Sequence, residues 1–234
     1  MIVSIHQPAY LPWLGYFHRI AISDVHVVLD HVQFEKNSFI NRNKIRTADG
    51  WCWLTLPVKT AGKFGNLPIN EVEIANDRPW AASHWETLRF NYCKAPFFAH
   101  HFGFFRNLYS GTWTKLTDLT AEVNRYLLDA FGITTRLCFS SQISVSGHKD
   151  ELVLNLCREL GATTYLSGPL GRNYLREELF HRNNIAVRYD DYQPPAYAQT
   201  YPGFEPNMAA VDLLFNAGPP AHEIMLKYQE QIAR

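Results

Sequence analysis

The first apolar run of the sequence, MIVSIHQP, closes on His6, Gln7 and Pro8. An imidazole titrates near neutral pH, so His6 at a strand end is a candidate catalytic acid, base or phosphoryl-oxygen donor. The Gln7 carboxamide offers both donor and acceptor. Tyr10 and Trp13 follow, with rings on which a base or sugar can stack. A second polar group gathers Gln33, Asn41, Arg42, Asn43 and Lys44 around Phe34, Phe39 and Ile40. Cations beside carboxamides fit a phosphate or carboxylate, with Arg42 and Lys44 neutralising it and Gln33, Asn41 and Asn43 orienting the substrate. The third group is Ser167-Gly168-Pro169-Leu170-Gly171-Arg172-Asn173, followed by Tyr174. Two glycines between a strand and a helix start can aim backbone N–H groups at an anion, which makes Gly168, Gly171 and Arg172 anion-binding candidates and Tyr174 a neighbouring contact. The Gly-Lys-Ser/Thr ending of a P-loop is absent. The fourth group is Asp212, a carboxylate inside an apolar helix and a candidate for acid–base work, with Glu205 and Asn207 upstream. Each group has a plainer alternative: a hydrogen bond closing a strand, a solvated loop, a tight turn, a structural carboxylate. For His18 the structural reading is preferred.

These groups need a scaffold. Ile2–Ile5 reads as a strand, Pro12 to about Ile22 as a helix burying Trp13, Phe17 and Ile20, and His26–Leu29 as a second strand. That opening is a βαβ unit, whose turn lies on the edge where open parallel sheets bind ligands. Residues 33–50 read as irregular. Trp51–Val58 and Ile69–Ile74 read as strands, paired as a hairpin around the Gly- and Lys-containing stretch 59–66. Helices are expected over 79–92, 96–108, 116–131, 149–160, 174–182 and 208–215, with another after Pro219-Pro220. Strands are expected over 135–140, 164–166 and 186–189. The predicted fold class is α/β: a layered, mostly parallel sheet flanked by helices, with a helical C-terminal part. One domain is expected over 1–234, with 78–131 and 206–234 as a helical cap.

Composition narrows the function. An apolar fraction of 47% over 234 residues describes a chain that buries a core. Lysine plus arginine and aspartate plus glutamate each number 22, a balance that argues against a general nucleic-acid or anionic-membrane binder. The four cysteines form no CxxC pair and read as reduced apolar fillers, with no metal ligation expected. No signal peptide or membrane span is read, so a cytoplasmic location is expected.

Four stretches then carry a resemblance. IHQPAYLPWLGYFHRI (5–20), DHVQFEKNSFINRNKIRT (30–47) with WLTLPV (53–58), YLSGPLGRNYL (165–175) and YPGFEPNMAAVDLLFNAG (201–218) are similar to the WbqC-like protein family. Some members are encoded among genes for bacterial surface polysaccharide, including O-antigen. The resemblance therefore implies a transferase acting on an activated, phosphate-bearing sugar or similar small molecule. It also marks His6, Gln7, Pro8, Trp13, Gly15, Gln33, Asn41, Arg42, Gly168, Arg172, Tyr174, Asp212 and Asn216 as recurring residues. No cofactor is implied. The alternative is a non-catalytic binding or assembly protein of the same pathway.

Overall fold

The structure, a computed structural model, describes residues 1–63 and 65–227. Its centre is a five-stranded sheet built from β1 (Ile2–His6), β2 (Val25–Val28), β5 (Arg136–Phe139), β6 (Thr164–Ser167) and β7 (Ala186–Tyr189), in the spatial order β5-β2-β1-β6-β7. Every pairing in it is parallel. The α/β class with a parallel sheet is therefore the observed one. The central strands are short and apolar because both faces are covered, and all four residues of β2 are buried.

Helix α1 (Leu14–Ala21) joins β1 to β2, and its residues Leu14 through Ile20 are all buried. The remaining helices are α2 (Trp80–Tyr92), α3 (Phe98–Ser110), α4 (Leu116–Ala130), α5 (Asp150–Glu159), α6 (Glu177–His181), α7 (Val211–Ala217) and α8 (Ala221–Leu226). Two apolar clusters form. The larger joins α1 to α2, α3, α4, α7 and α8. The smaller joins the strands to α5 and α6. The end of the expected cap, 228–234, lies outside the described residues. Among the described residues no helix is long and apolar enough to cross a membrane.

Three expectations need correcting. Residues 33–50 are not wholly irregular, because β3 (Arg42–Thr47) forms an antiparallel hairpin with β4 (Gly50–Thr55). The reading failed because β3 alternates buried Asn43 and Ile45 with Arg42 and Lys44, whose long side chains lie over the rings of Trp53 and Trp51 instead of in water. Nor is Ile69–Ile74 a strand. It holds a short 3-10 turn, Ile69–Glu71, and isolated bridges that link Val58 to Ile74 and Glu73 to Lys115. The expected helix at 174–182 shortens to α6 because Tyr174 (φ −140°) and Arg176 (ψ 87°) leave helical geometry.

Candidate functional site

In this strand order the chain moves from β1 outward to β2 and β5, then crosses back to β6 and β7 on the other side. β1 and β6 therefore flank the point where the winding reverses. Crevices at the C-terminal ends of such strands are the usual ligand sites of open α/β sheets. A pocket of about 200 Å³ opens here, lined among others by Trp13, Gly15, Arg19, Asp190, Tyr192 and Met208.

Local sequence builds the pocket floor. After His6, Leu11 takes a left-handed backbone with φ 45°, which is costly for a branched residue. The Asn43 side-chain amide donates to the Leu11 carbonyl at 2.6 Å and holds the turn. Trp13 then precedes α1 in extended geometry, and no side chain caps the helix. The N–H groups of a first helical turn carry a partial positive charge toward whatever lies before them. A Cβ on Gly15 would stand 3.1 Å from both Trp13 Nε1 and Tyr192 Cδ1, so glycine keeps this entrance clear.

Arg19 supplies a full charge. It is 5% exposed and lines the pocket. Its Nε makes no hydrogen bond, and Asp190 Oδ2 is 3.7 Å away. Burial pulls its pKa below the ordinary guanidinium value, and Asp190 opposes that shift. The guanidinium lies against the backbone of Gly168, where a Cβ would come within 2.8 Å of its terminal nitrogen. Asp190 follows β7 and is fixed by its own N–H, which donates to the Ser167 carbonyl at 2.8 Å. The Asp190 carboxylate also holds His18, whose Nδ1 lies 3.1 and 3.2 Å from its two oxygens. The His18 ring stacks on Tyr192 at 4.5 Å. Cation and carboxylate thus line one pocket, and the imidazole is held on that carboxylate.

His6 stands at the end of β1. Its Nδ1 donates to the Gln7 carbonyl at 2.8 Å, which leaves the basic lone pair on Nε2. Burial, with a smaller contribution from Arg19, lowers its pKa to about 4, so the ring is neutral at pH 7. Trp13 and Tyr16 meet it edge-on at 5.5 and 5.4 Å.

The model of the WbqC-like protein family matches residues 7–224. This chain belongs to that family. It is 37% identical over 231 residues to a Mycobacterium tuberculosis (strain ATCC 25618 / H37Rv) protein named "Uncharacterized protein Rv1507c", an alignment covering 98% of this chain and 99% of that one. No solved structure matches the chain.

In this WbqC-like chain the residues singled out by type and spacing scatter over several places. Trp13 lines the pocket, and Gly168 lies against Arg19. Gly171 packs a turn so tight that a Cβ would fall on Ser167 Oγ. Arg172 forks onto Asp191 at 2.5 and 2.6 Å, and Tyr174 is 53% exposed. Tyr10 is fully buried, its hydroxyl held by His84 at 2.9 Å and Tyr109 at 2.6 Å. Gln33 bonds Phe34 and Leu67, and Asn41 donates to the Leu56 carbonyl. Arg42 and Lys44 sit on a row of aromatic rings running from Trp13 through Phe39 and Trp53 to Trp51, at centroid spacings of 5.0, 6.0 and 5.9 Å. Asp212 is completely buried and accepts from Tyr92, Tyr197 and Gln199, each at 2.8 Å. Tyr197 lines the pocket, so Asp212 stands behind the pocket wall.

Sequence reasoning passed over Arg19, Asp190 and Tyr192 and assigned His18 to structure. Asp190 had a readable signal: it is the first residue after the last parallel strand, on the ligand-binding edge. Arg19 had none, since an arginine near a helix end ordinarily reads as solvated. Among the described residues no three of His, Cys, Asp and Glu gather as a metal-ligand group.

Proposed function

We infer that this chain is a group transferase acting on a phosphate-bearing activated small molecule, with the activated sugars of bacterial surface polysaccharide as its substrate class. The observation that carries this reading is Arg19, a buried guanidinium with an unbonded Nε, facing the pocket at the sheet's reversal point. A buried cation of this kind favours an anionic partner. The uncapped start of α1 adds to the same field. Asp190 orients the His18 imidazole, the role a carboxylate plays beside a general base. Neutral His6 supplies a second ring nitrogen at the same strand edge. Trp13 and Tyr192 offer ring faces to the sugar or base. Asp212 acts as a positioning residue through Tyr197.

Calorimetric titration with a nucleoside diphosphate, a nucleotide sugar, a sugar phosphate and pyrophosphate tests this. At least one should bind, and Arg19→Met should weaken it by about tenfold or more, the scale of one charge-assisted hydrogen bond. His18→Gln should keep binding within about threefold and lose turnover by about a hundredfold. Absence of binding by all four would overturn the reading. The row of rings, in which Phe39 is 44% and Trp51 43% exposed, favours a second reading as a partner-binding protein. That reading survives if the four ligands fail.

A further inference from the structure

A second cavity, of about 240 Å³, lies between the sheet edge and α4. Pro8, Tyr16, Val28 and Phe139 form one wall, and the face of α4 carrying Asn124 and Leu128 forms the other. Its position follows from strand register. His6 is paired with Val28, and Val28 with Phe139, so the cavity sits at the C-terminal ends of β1, β2 and β5. Tyr16 belongs to this cavity and Trp13 to the anion pocket, and the two rings contact His6 at nearly equal centroid distances, 5.4 and 5.5 Å. The imidazole therefore touches one wall residue of each of two separate concavities.

The lining surface is mostly apolar, and of its polar residues Asn124 stands out. Asn124 is 8% exposed, and its Oδ1 is buried with no hydrogen-bond partner. A buried carbonyl oxygen left unpaired is costly, and native proteins rarely keep one unless something fills it. Thr120, one turn earlier on the same face, spends its hydroxyl on the Thr117 carbonyl and leaves Asn124 unanswered. Size restricts the occupant. A cavity of about 150 Å³ holds a benzene ring, and whole drug-sized ligands need roughly 300 Å³ or more. The space suits a short aliphatic or acyl chain, not a nucleotide. Arg125, 62% exposed in its side chain, lines the same cavity and reaches solvent.

We propose that this cavity is a binding site for a short apolar acyl chain bearing an N–H or O–H group, the chain packing between α4 and the β2–β5 edge and the donor bonding Asn124 Oδ1. Binding here does not rest on the transferase reading, because the cavity shares no lining residue with the Arg19 pocket.

The test uses the full chain and two probes of similar length, hexanamide, which can donate, and methyl hexanoate, which cannot. Amide chemical shifts are followed by two-dimensional NMR. Hexanamide should shift Val28, Ala121, Asn124 and Leu137 saturably and bind about fivefold more tightly than the ester, the scale of one net hydrogen bond. Asn124→Leu should equalise the two probes. Ala121→Trp, on the cavity face of α4, should abolish both. Arg19→Met should change neither. Saturable shifts with neither probe, or equal binding of both to the wild-type chain, would overturn the proposal without touching the anion pocket. The wild-type comparison decides the matter even if a variant fails to fold.

Discussion

Arg19 is a charge withdrawn from water without a full set of hydrogen bonds. Removing one member of a buried charge pair strands the other, whereas removing both is often neutral or favourable. Arg19→Met should therefore lower stability by on the order of 2 kcal/mol in urea denaturation, and Arg19→Met with Asp190→Asn should recover most of it. Equal losses in the single and double variants would show that a stranded Asp190 charge is not what costs stability. His6 makes a different prediction. Its folded pKa, about 4, lies below the unfolded value near 6.5. The unfolded chain then binds a proton that the folded chain refuses, so the contribution is fully present above about pH 6.5 and is lost as pH falls toward 4. His84 and His101, also lowered to about 4 by burial, act in the same direction. His6→Gln should reduce the proton uptake on unfolding at pH 5 by about one, measured from stability against pH. At this scale the sequence reaches the edge of the candidate pocket and hides most of the residues that line it. His6 and Trp13 are legible because they bracket a strand-to-helix turn. Arg19 is not, because its meaning depends on Gly168 and Asp190, which lie far along the chain.

Among the elements, the turn between β1 and α1 is the least self-sufficient. Leu11 holds its left-handed backbone while Asn43 grips its carbonyl, so a hairpin residue secures a turn in another layer. Asn43→Ala should cost about 1–3 kcal/mol, by leaving that carbonyl and the Lys44 N–H without their partner. Any anion bound at the pocket should weaken with it; undiminished affinity would mean that the turn keeps its shape unaided. At the end of α7, Gly218 has φ 61°, and a Cβ there would fall 2.4 Å from the Phe97 ring. Gly218→Ala should lower stability by about 1–3 kcal/mol, against a few tenths for an exposed alanine substitution, as read from thermal midpoints. Helices and parallel strands were legible because apolar spacing alone determines them. β3 was not, since its cations cover tryptophan rings and so mimic a solvated loop.

Over the whole molecule, Asp212 ties distant parts together. Its carboxylate receives Tyr92 from α2 and Tyr197 and Gln199 from the segment that walls the pocket. Burial raises its pKa against the lowering effect of those donors. Asp212→Asn presents an amide N–H₂ where hydroxyl or amide protons now point. It should cost about 1–3 kcal/mol and loosen the Tyr197 wall, read as lower stability together with weaker ligand affinity. A stability loss with intact affinity would confine Asp212 to the core.

The central strand has a further consequence, for synthesis. β1 gains β2 as a neighbour as soon as residues 25–28 are made, but its other edge waits for β6, where Ile2 pairs with Thr164. Until then a growing chain carries an open, apolar strand edge, the feature by which unfinished chains stick to one another. Ribosomes that stall before residue 164 should thus release products more prone to aggregate than those that stall after β7.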